Sequence, residues 1–528
     1  MRILIADKIS EKGIASLRDN GYDVDVNTGL PEEEIIRIIA DYDAIIIRSA
    51  TRVTRAIIEA GTNLKIIGRA GVGVDNVDVD AATEQGVIVC NAPTSNVISA
   101  AEQTFALMLA SARKTAQANA SMQAGLWERS KFSGNELYEK TLAIFGLGRI
   151  GTLVAKRAAA FGMRLIGYDP YISPERAQAL GVTVYDSLEE ILPQADFITV
   201  HLPKTKETIG MFGPEQFAMM KPTVYLVNAA RGGIYDIDAL AEAAKNGKIA
   251  GAALDVYEKE PCTDSPVHGL PNVILTPHLG ASTKEAQDRA GEQIAEFVMA
   301  GLRGEMVPTA LNVSQYDNDV LAAITPYVSA CETAGRMLSQ LASDSISALQ
   351  VMTFGELAAF DPQMLGTAVL MGIIDETSDD KVNLVNANYL ADIKGIHLDL
   401  ATSDSRTGYT SMVRLRGRAK GKDVELALTL TGDEGDIRIV DIQGYKFDIM
   451  PSENMLIMQY VDGPGRMGKV CSILGDAQIN IARMEVCDGK DKSDIATVVF
   501  NIDDPCTESV KEKLANAFDL HGIWYISL

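Results

Sequence analysis

The feature that most constrains the fold is a glycine-rich turn, Gly146-Leu147-Gly148-Arg149-Ile150-Gly151. It directly follows the apolar run 141–145 and directly precedes a helical pattern that starts at Thr152. Glycines also make ordinary turns, but between a strand and a helix this spacing predicts a dinucleotide-binding turn. The first two glycines allow a tight turn and a close backbone approach to a pyrophosphate, and the third lets the helix pack on the strand. The helix N-terminus then faces the phosphates.

Asp169 directly follows the next predicted strand after the glycine turn, which spans 164–168. A carboxylate at this place can accept hydrogen bonds from the ribose hydroxyls of adenosine. It would also repel a 2′-phosphate. The sequence therefore predicts NAD, rather than NADP, as the cofactor.

Short aliphatic runs alternate with helical patterns through the first half of the chain, which predicts parallel sheets covered by helices. A first series of strands includes 2–6, 43–47 and 64–68, and a long helical stretch follows at 98–120. A second series has six strands, the number in a full dinucleotide-binding sheet. They lie at 141–145, 164–168, 197–201, 224–228, 251–255 and 273–276. The helix after Ala281 is expected to return the chain to the first lobe, which leaves a cleft between the two lobes.

The predicted fold class is therefore α/β, with two doubly wound parallel-sheet lobes followed by two further domains. We expect a discontinuous substrate-binding domain at 1–97 and 286–314, and an NAD-binding Rossmann domain at 98–285. Apolar helices and alternating strands over 315–452 predict an α/β intervening domain. Residues 453–528 follow the order strand, helix, strand, strand, helix, strand, which is the βαββαβ order of a small C-terminal domain.

Composition excludes several partners. The formal net charge is −23, and nucleic-acid binding needs a clustered basic face, so we expect no nucleic-acid partner. An anionic substrate must then be held by a few local basic side chains against the overall field. No run approaches the roughly 18 apolar residues of a membrane span, so no membrane partner is expected. The six cysteines lack CxxC spacing, which predicts reduced thiols in the cytoplasm and no metal site.

Three ionisable residues, Arg231, Glu260 and His278, each follow a strand of the second series. Ligands of open parallel sheets gather beyond the carboxyl ends of the strands. Oxidation of a secondary alcohol needs a base for the hydroxyl proton, and an imidazole, which titrates near neutral pH, suits that role. Glu260 would orient the imidazole, and Arg231 would bind a carboxylate with its planar fork. Each residue alone is equally consistent with a turn or surface position, but together they predict a catalytic set.

His201 is a competing candidate for the base, because it also ends a strand. It lies closer to the cofactor half of the predicted sheet than His278 does. We therefore assign His201 to the lining of the cofactor site.

Over residues 1 to about 310 the chain resembles the D-isomer-specific 2-hydroxyacid dehydrogenases. The matching segments are 68–76, 91–96, 146–151, 230–233 and 277–280. The resemblance implies NAD-dependent hydride transfer, with Arg231, Glu260 and His278 as the catalytic residues. Besides Gly146, Gly148, Gly151 and His201, it implies cofactor contacts at Val72, Arg149, Ile150, Asp169, Leu202, Ala229, Asp255 and Gly280.

Within this family the segments are most similar to those of the members that act in phosphorylated L-serine biosynthesis. The resemblance therefore implies 3-phosphoglycerate and 3-phosphohydroxypyruvate as substrate and product. Arg48 and Arg69 end two strands of the first lobe, from which both could reach a phosphate across the cleft. Ser49, Gly71 and Asn96 complete the predicted substrate site.

The segment from Tyr460 to Gly468, followed by 479–481, resembles an ACT domain, a small ligand-sensing module. In this family the resemblance implies that L-serine binds between subunits at Tyr460, Asp462 and Asn480 and inhibits the enzyme. Physically, the Gly-Pro-Gly turn at a helix start offers backbone N–H groups to a carboxylate, and Asp462 could bind an ammonium. A role in assembly alone stays open. The resemblance also implies a homotetramer, with the stretch 127–132 crossing to a neighbouring subunit.

Two other functions stay open on the sequence alone. The chain could be a different D-2-hydroxyacid dehydrogenase, such as a hydroxypyruvate or glyoxylate reductase. It could also be a non-enzymatic NAD-sensing protein of the same fold. Arg48 and Arg69 weigh against the first alternative, and the complete catalytic set weighs against the second.

Overall fold

A computed structural model describes residues 1–314, 316–378, 381–405, 407–432, 435–488 and 494–528. Gln315, at which the intervening domain is predicted to begin, lies outside the described residues. The described residues form four sheets in succession along the chain. The predicted domain boundaries stay predictions.

The first sheet has five parallel strands, connected by four helices. The strands are β1 (Arg2–Ile5), β2 (Asp23–Val26), β3 (Ala44–Ile47), β4 (Ile66–Arg69) and β5 (Ile88–Asn91), and the helices are α1 (Glu11–Asp19), α2 (Glu32–Ile38), α3 (Arg55–Ala60) and α4 (Val79–Glu84). The order is β2-β1-β3-β4-β5. It reverses between β1 and β3, where the carboxyl ends of a parallel sheet border a crevice.

The helical stretch predicted at 98–120 is divided into α5 (Val97–Arg113) and α6 (Thr115–Gln123). Lys114 between them takes a left-handed conformation with φ of 54°, which ends α5. Apolar residues of α5, such as Phe105 and Met108, pack with the second sheet. This helix therefore belongs to the second lobe, whose apolar face it covers.

The second sheet has seven parallel strands, one more than the sequence predicted. They are β6 (Thr141–Phe145), β7 (Arg164–Tyr168), β8 (Val182–Val184), β9 (Phe197–Val200), β10 (Tyr225–Asn228), β11 (Gly251–Leu254) and β12 (Val273–Leu275), with helices α7 (Arg149–Ala160), α8 (Pro174–Ala179), α9 (Leu188–Ile191), α10 (Pro214–Met219) and α11 (Ile237–Lys245). The order is β12-β11-β10-β9-β6-β7-β8. The additional strand is β8, a three-residue edge strand. The order reverses between β6 and β9, so a ligand crevice is expected beyond the carboxyl ends of these two strands.

The next helix, α12 (Lys284–Leu302), returns the chain to the first lobe as the sequence predicted. Its residues Ile294 and Val298 pack in one core with Ile3 and Ile5 of β1. It crosses α1 closely, because a Cβ atom on Gly13 would lie 2.5 Å from the carbonyl oxygen of Gly291.

The third sheet is mixed, whereas the sequence predicted antiparallel strands. Its elements are α13 (Asn318–Ala342), β13 (Ile346–Gly355), α14 (Gln363–Thr377), α15 (Ala387–Ile393), β14 (His397–Ser403), β15 (Ser411–Ala419), β16 (Lys422–Thr431), β17 (Asp436–Ile442) and β18 (Tyr445–Ile449). Only β13 and β14 pair in parallel, because α14 and α15 cross over between them; the other pairs are antiparallel.

The fourth sheet is antiparallel, in the order β20-β21-β19-β22. Its elements, in the predicted βαββαβ order, are β19 (Asn454–Val461), α16 (Arg466–Asp476), β20 (Ile481–Asp488), β21 (Ile495–Ile502), α17 (Glu508–Ala517) and β22 (Leu520–Ser527). It docks on α13 through the Gln340 side chain, which donates to the Ser527 carbonyl at 2.7 Å and accepts from its N–H at 2.8 Å. The predicted fold class is confirmed.

The described residues contain neither a membrane-spanning helix nor a cluster of metal-binding side chains. None of the helices there is long and apolar enough to cross a bilayer. Among the same residues, no three His, Cys, Asp or Glu side chains cluster so as to hold a metal ion.

Candidate active site

The glycine turn lies at the reversal point of the second sheet, between the ends of β6 and β9. Gly146 has φ of 92°, and a Cβ atom there would lie 2.7 Å from the His201 carbonyl oxygen. A Cβ on Gly151 would collide with the carbonyl of Gly146, so this glycine lets α7 approach the turn. A Cβ on Gly148 would have no neighbour within 4 Å, so that face of the turn is open. A tight turn with one open glycine ahead of a helix N-terminus fits a pyrophosphate.

Asp169 follows β7 and lies against the glycine turn. Its carboxylate accepts the N–H of Leu147 at 2.7 Å through Oδ2 and that of Tyr171 at 2.9 Å through Oδ1. A carboxylate has about four acceptor sites, so two are free for ribose hydroxyls. Arg149 and Ile150 form the first turn of α7, and Leu202 lies beside Gly146, within 3.2 Å of its ideal Cβ position. These predicted cofactor residues therefore share one rim.

His278 and Glu260 are brought together. Nδ1 of His278 lies 2.7 Å from Oε2 of Glu260, and Oε1 of Glu260 accepts the N–H of Tyr257 at 3.0 Å. Both side chains are partly exposed, so the imidazole can reach a ligand in the cleft. With Nδ1 engaged by the carboxylate, Nε2 is the nitrogen left to exchange a proton with a substrate.

Asp255, a predicted cofactor contact, anchors the turn that carries His278. It is completely buried, and it accepts the N–H groups of Leu279 and Gly280, both at 2.8 Å, and the Thr276 hydroxyl at 2.5 Å. His278 has φ of 53°, an uncommon conformation for a residue other than glycine. A buried acceptor fixes the two N–H groups that follow His278, which helps to hold that conformation.

Arg231 lies in the turn after β10, next to the segments that carry the other two residues. A Cβ on Gly232 would collide with the backbone of Tyr257, and one on Gly280 would lie 3.9 Å from the Ala229 carbonyl oxygen. The turns after β10, β11 and β12 are therefore packed together. The Arg231 guanidinium donates to the Ala230 carbonyl at 2.8 Å and lies 3.1 Å from an ideal Cβ on Gly73 of the first lobe. It thus reaches across the cleft.

His201 lies at the cofactor crevice and not with Glu260. Its Nε2 contacts the Thr199 hydroxyl at 3.1 Å. Burial lowers the pKa of His201 to about 4, so the ring is neutral near pH 7. A base that is so hard to protonate is poorly suited to alcohol oxidation, which favours His278.

Three arginines of the predicted site influence one another electrostatically. Burial, together with the charges of Arg231 and Arg48, lowers the pKa of Arg69 to about 10, although Asp75 and Asp7 act in the opposite direction. The Arg69 guanidinium lies over Gly71, where a Cβ would collide with it, and its buried Nε has no hydrogen-bond partner among the described residues. The three guanidinium groups therefore lie close enough for their charges to act together on an anion.

The remaining predicted substrate residues lie on the first lobe and at its junction with α5. Ser49 is exposed beside Arg48. The Val72 carbonyl accepts from the Asn91 side chain at 2.5 Å, which orders the 71–73 backbone. Asn96 is at the N-cap position of α5 but makes no capping hydrogen bond, and its buried Oδ1 has no partner within the described ranges. Asn96 therefore offers an unused polar atom.

Asp7 and Asn76, whose side chains bind the backbone of the Arg48 loop, were not predicted from the sequence. One signal was available, because Asp7 is a carboxylate just beyond the carboxyl end of β1.

Two of the three predicted serine-binding residues, Tyr460 and Asp462, lie shortly before the N-terminus of α16, whereas Asn480 follows its C-terminus. The Tyr460 side chain is buried, its hydroxyl has no partner among the described residues, and burial raises its pKa, helped by the charge of Asp462. Asp462 is exposed and accepts the N–H of Gly463 at 2.8 Å. Asn480 donates instead to Asp503 at 2.6 Å. Tyr460 and Asp462 are therefore close within one chain, whereas Asn480 is engaged elsewhere.

Comparison with known proteins gives matches along most of the chain. Residues 105–280 match the NAD-binding domain of D-isomer-specific 2-hydroxyacid dehydrogenases, residues 323–443 the D-3-phosphoglycerate dehydrogenase intervening domain, and residues 454–519 the ACT domain. D-3-phosphoglycerate dehydrogenases of Methanocaldococcus jannaschii and Mycobacterium leprae are each 42% identical over 528 residues. The alignments cover all of this chain and 100% and 99% of those proteins.

Solved structures match a shorter part. A protein of Thermus thermophilus is 35% identical with a TM-score of 0.55, and the match covers 59% of this chain and 100% of the Thermus chain. The apo-structure of D-lactate dehydrogenase from Escherichia coli is 28% identical with a TM-score of 0.53, with coverage of 59% and 100%. The full-length likeness is therefore to the curated dehydrogenases.

Proposed function

This chain belongs to the D-3-phosphoglycerate dehydrogenases, within the NAD-dependent D-isomer-specific 2-hydroxyacid dehydrogenases, and from that premise we propose its reaction. It oxidises 3-phospho-D-glycerate to 3-phosphohydroxypyruvate as the first step of phosphorylated L-serine biosynthesis. The observation that carries the proposal is the pairing of His278 with Glu260 at 2.7 Å, in a cleft that also holds the arginine cluster.

His278 is the general base. Its Nδ1–H donates to Glu260, which leaves Nε2 to take the proton of the substrate C2 hydroxyl as the C2 hydrogen leaves as hydride. Bound NAD supplies the nicotinamide ring that accepts this hydride. The carboxylate of Glu260 stabilises the imidazolium that forms, and in the reverse direction the same imidazolium returns the proton.

The arginines bind the two anionic ends of the substrate. Arg231 lies beside the His278 turn, so its fork binds the carboxylate and polarises the developing C2 carbonyl. Arg48 and Arg69, on the first lobe, bind the phosphate at the other end. Asn96, Ser49 and the Gly71 backbone complete the pocket. Because the substrate is strongly anionic, its two ends would offset the positive charges of these arginines.

The glycine turn and its neighbours would hold the cofactor. Gly148 and the first turn of α7 would bind the pyrophosphate, and Asp169 would accept hydrogen bonds from the adenosine ribose. Val72, Leu202 and Ala229 line the cleft beside these groups. In this assignment Asp255, which is completely buried, acts by fixing the turn at 278–280.

The proposal is tested by following NADH absorbance with 3-phosphohydroxypyruvate and with hydroxypyruvate as substrates. We expect kcat/KM to favour the phosphorylated substrate by about 10³-fold, because arginine–phosphate contacts made in the transition state are charge-assisted. Equal use of both substrates would instead indicate a hydroxypyruvate reductase. Binding of NADH without turnover of either substrate would indicate a sensing protein.

We also propose that L-serine inhibits the enzyme at the ACT domain. The buried Tyr460 hydroxyl, the exposed Asp462 carboxylate and the N-terminus of α16 can bind the hydroxyl, ammonium and carboxylate of a small amino acid. Asn480 would join from a neighbouring subunit. Asp462→Ala in the full chain is expected to abolish serine inhibition and keep basal turnover, whereas the control Asp476→Ala, at the far end of α16, keeps both. A serine-insensitive wild type would end this proposal and leave the domain an assembly role.

Assembly and location complete the proposal. We expect a homotetramer, because Trp127 is 80% exposed in the single chain, as an interface aromatic would be. Sedimentation velocity would test this, and a monomer would contradict it. Free thiols such as Cys90 and Cys331, which are buried and whose pKa values burial raises to about 12, are consistent with a reducing, cytoplasmic environment.

A further inference from the structure

We propose that Asp7 is a positioning residue that fixes the Arg48 loop for recognition of the substrate phosphate. This inference rests on the proposed function, since it assumes that Arg48 binds the phosphate. It assigns a role to a carboxylate that does not itself contact the substrate.

Asp7 follows β1 at the reversal point of the first sheet, directly beside the loop that follows β3. Its side chain is almost completely buried, with 4% of its surface exposed. One oxygen, Oδ2, accepts three backbone N–H groups: Arg48 at 2.7 Å, Thr51 at 3.0 Å and Ala50 at 3.2 Å. The other, Oδ1, accepts the Thr51 hydroxyl at 2.7 Å. A single carboxylate therefore satisfies most of the donors of the loop 48–51.

Asn76 binds the same loop from its acceptor side. Its Nδ2 donates to the Arg48 carbonyl at 2.9 Å and to the Thr51 carbonyl at 2.6 Å. The Asn76 carbonyl in turn accepts the N–H of Val53 at 2.9 Å. The loop thus has its donors bound to Asp7 and its acceptors bound to Asn76, which leaves its backbone little freedom.

The loop presents the side chain of Arg48, which is available to bind a ligand. Within the described residues the Arg48 guanidinium takes part in no hydrogen bond or ion pair that would orient it, and its charge is felt at Arg69. A long cationic side chain loses much conformational freedom when it binds a ligand, so a fixed backbone lowers the cost of binding. The backbone bonds to Asp7 supply that fixed starting point.

The charge of Asp7 has a second effect, which the test must separate from the first. Asp7 favours the charged form of Arg69, against burial and the neighbouring arginines. Asn in place of Asp7 removes the charge but keeps the shape. Its amide oxygen can accept the three N–H groups, and its NH₂ group can donate to the Thr51 hydroxyl. Ala removes both the charge and the acceptors.

Asp43 offers a matched control at the opposite end of the same sheet. Its carboxylate accepts the N–H of Arg2 at 2.9 Å and the Lys65 ammonium at 3.0 Å, just before β3. It is another carboxylate that binds backbone between β1 and β3, but it lies away from the cleft. Asp43→Ala therefore reports what loss of such a bond does to the lobe in general.

The experiment measures kcat and KM for 3-phosphohydroxypyruvate, with NADH binding as a check on folding, in the wild type and in the variants D7A, D7N and D43A. We expect D7A to raise KM by about tenfold or more with kcat changed by less than about threefold, since buried donors lose their acceptor and the loop loosens. D7N should stay within about threefold of the wild type in both constants, because its oxygen still accepts. D43A should leave KM unchanged.

Several results would overturn the inference. A wild-type KM in D7A would show that the loop does not need Asp7. A loss in D7N as large as that in D7A would assign the effect to charge and not to position. Equal changes of KM in D7A and D43A would reduce Asp7 to general support of the lobe. If the wild type itself shows no preference for 3-phosphohydroxypyruvate over hydroxypyruvate, the phosphate role of Arg48 fails first, which is a distinct outcome.

Discussion

Replacing Asp169 with Asn removes one negative charge from the end of β7 and should relax the preference for NAD over NADP. Two unit charges about 4 Å apart repel by ~1 kcal/mol in water and by ~4 kcal/mol at the effective dielectric near a protein surface. A 2′-phosphate carries nearly two charges, and Asp169 is half-buried at the rim of the turn. With the value for water, ~1 kcal/mol per pair of charges, the two charges of the phosphate give a repulsion of ~2 kcal/mol. This energy corresponds to a change of about 30-fold in the preference for NAD over NADP.

The assay is the ratio of kcat/KM for the two cofactors, measured with saturating 3-phosphoglycerate. Asp196→Asn is the matched control, because Asp196 also accepts a backbone N–H, that of Thr141 at 2.9 Å. It directly precedes β9 and so lies at the amino ends of the strands, away from the cofactor crevice. Its ion pair with Lys221 makes it a structural carboxylate. We expect Asp196→Asn to lower thermal stability and to leave the cofactor ratio unchanged.

The reasoning would be refuted by an Asp169→Asn enzyme whose cofactor ratio stays within about threefold of the wild type. It would be refuted equally if both cofactors weakened by the same factor. That result would mean that Asp169 only supports the glycine turn through its bonds to Leu147 and Tyr171. Asp169→Ala should relax the preference as well, with a larger loss of NAD affinity, because the acceptor is removed along with the charge.

Three further predictions follow from the site. His278→Gln should lower kcat by about 10²–10⁴-fold, the range of general acid–base catalysis, while NADH fluorescence titration shows unchanged binding; an active variant would exclude His278 as the base. Arg48→Glu should raise KM for 3-phosphohydroxypyruvate by about 10²-fold, and an equal loss with hydroxypyruvate would contradict a phosphate role. The pKa of His201 is about 4 in the folded chain and 6.5 ordinarily. As the pH falls, His201 is therefore protonated in the unfolded chain before it is protonated in the folded chain. His201 therefore lowers the free energy of unfolding by up to ~3 kcal/mol as the pH falls from about 6.5 to 4. The measurement compares the urea midpoints of the wild type and His201→Asn at pH 7 and pH 5. If both proteins lose the same stability between these two pH values, the prediction is wrong.

The strands that were predicted well from the sequence include β3 and β9, which consist largely of apolar or β-branched residues and in which every residue is buried. Where both faces of a strand are covered, the pattern and composition of apolar residues are enough to predict the strand. The strands not predicted lie at sheet edges. β2 has the sequence Asp-Val-Asp-Val and β8 has three residues, and their formation depends on pairing with β1 and β7. Such pairing is a long-range contact that no local pattern encodes.

The contact between Glu260 and His278, the proposed catalytic pair, could be predicted because strand-end position restricts where residues of a parallel sheet meet. Glu260 and His278 follow neighbouring strands, and their side chains are in contact. The same logic extends to Asp7 and Arg48, which follow the adjacent strands β1 and β3. The sequence shows no reason to join them, however, since the bond depends on the loop backbone at 48–51 and not on side-chain type. Residues that act on backbone have weaker sequence signals than residues that act on substrate.

The net charge of −23 and an anionic substrate are reconciled by the local environment of a few side chains. Charges on the outer surface are screened over about 10 Å at 0.1 M salt, so most acidic residues contribute little inside the cleft. There, Arg69 is buried, lies near Arg231 and Arg48, and has its pKa lowered to about 10 by burial and by these neighbours. A guanidinium stays charged even so, and the resulting repulsion is relieved when an anion binds. Asp7 and Asp75 offset only part of that repulsion, and Asp7 has its oxygens already occupied by the loop. The positive charge that remains uncompensated selects an anion, and net charge alone could not have predicted it.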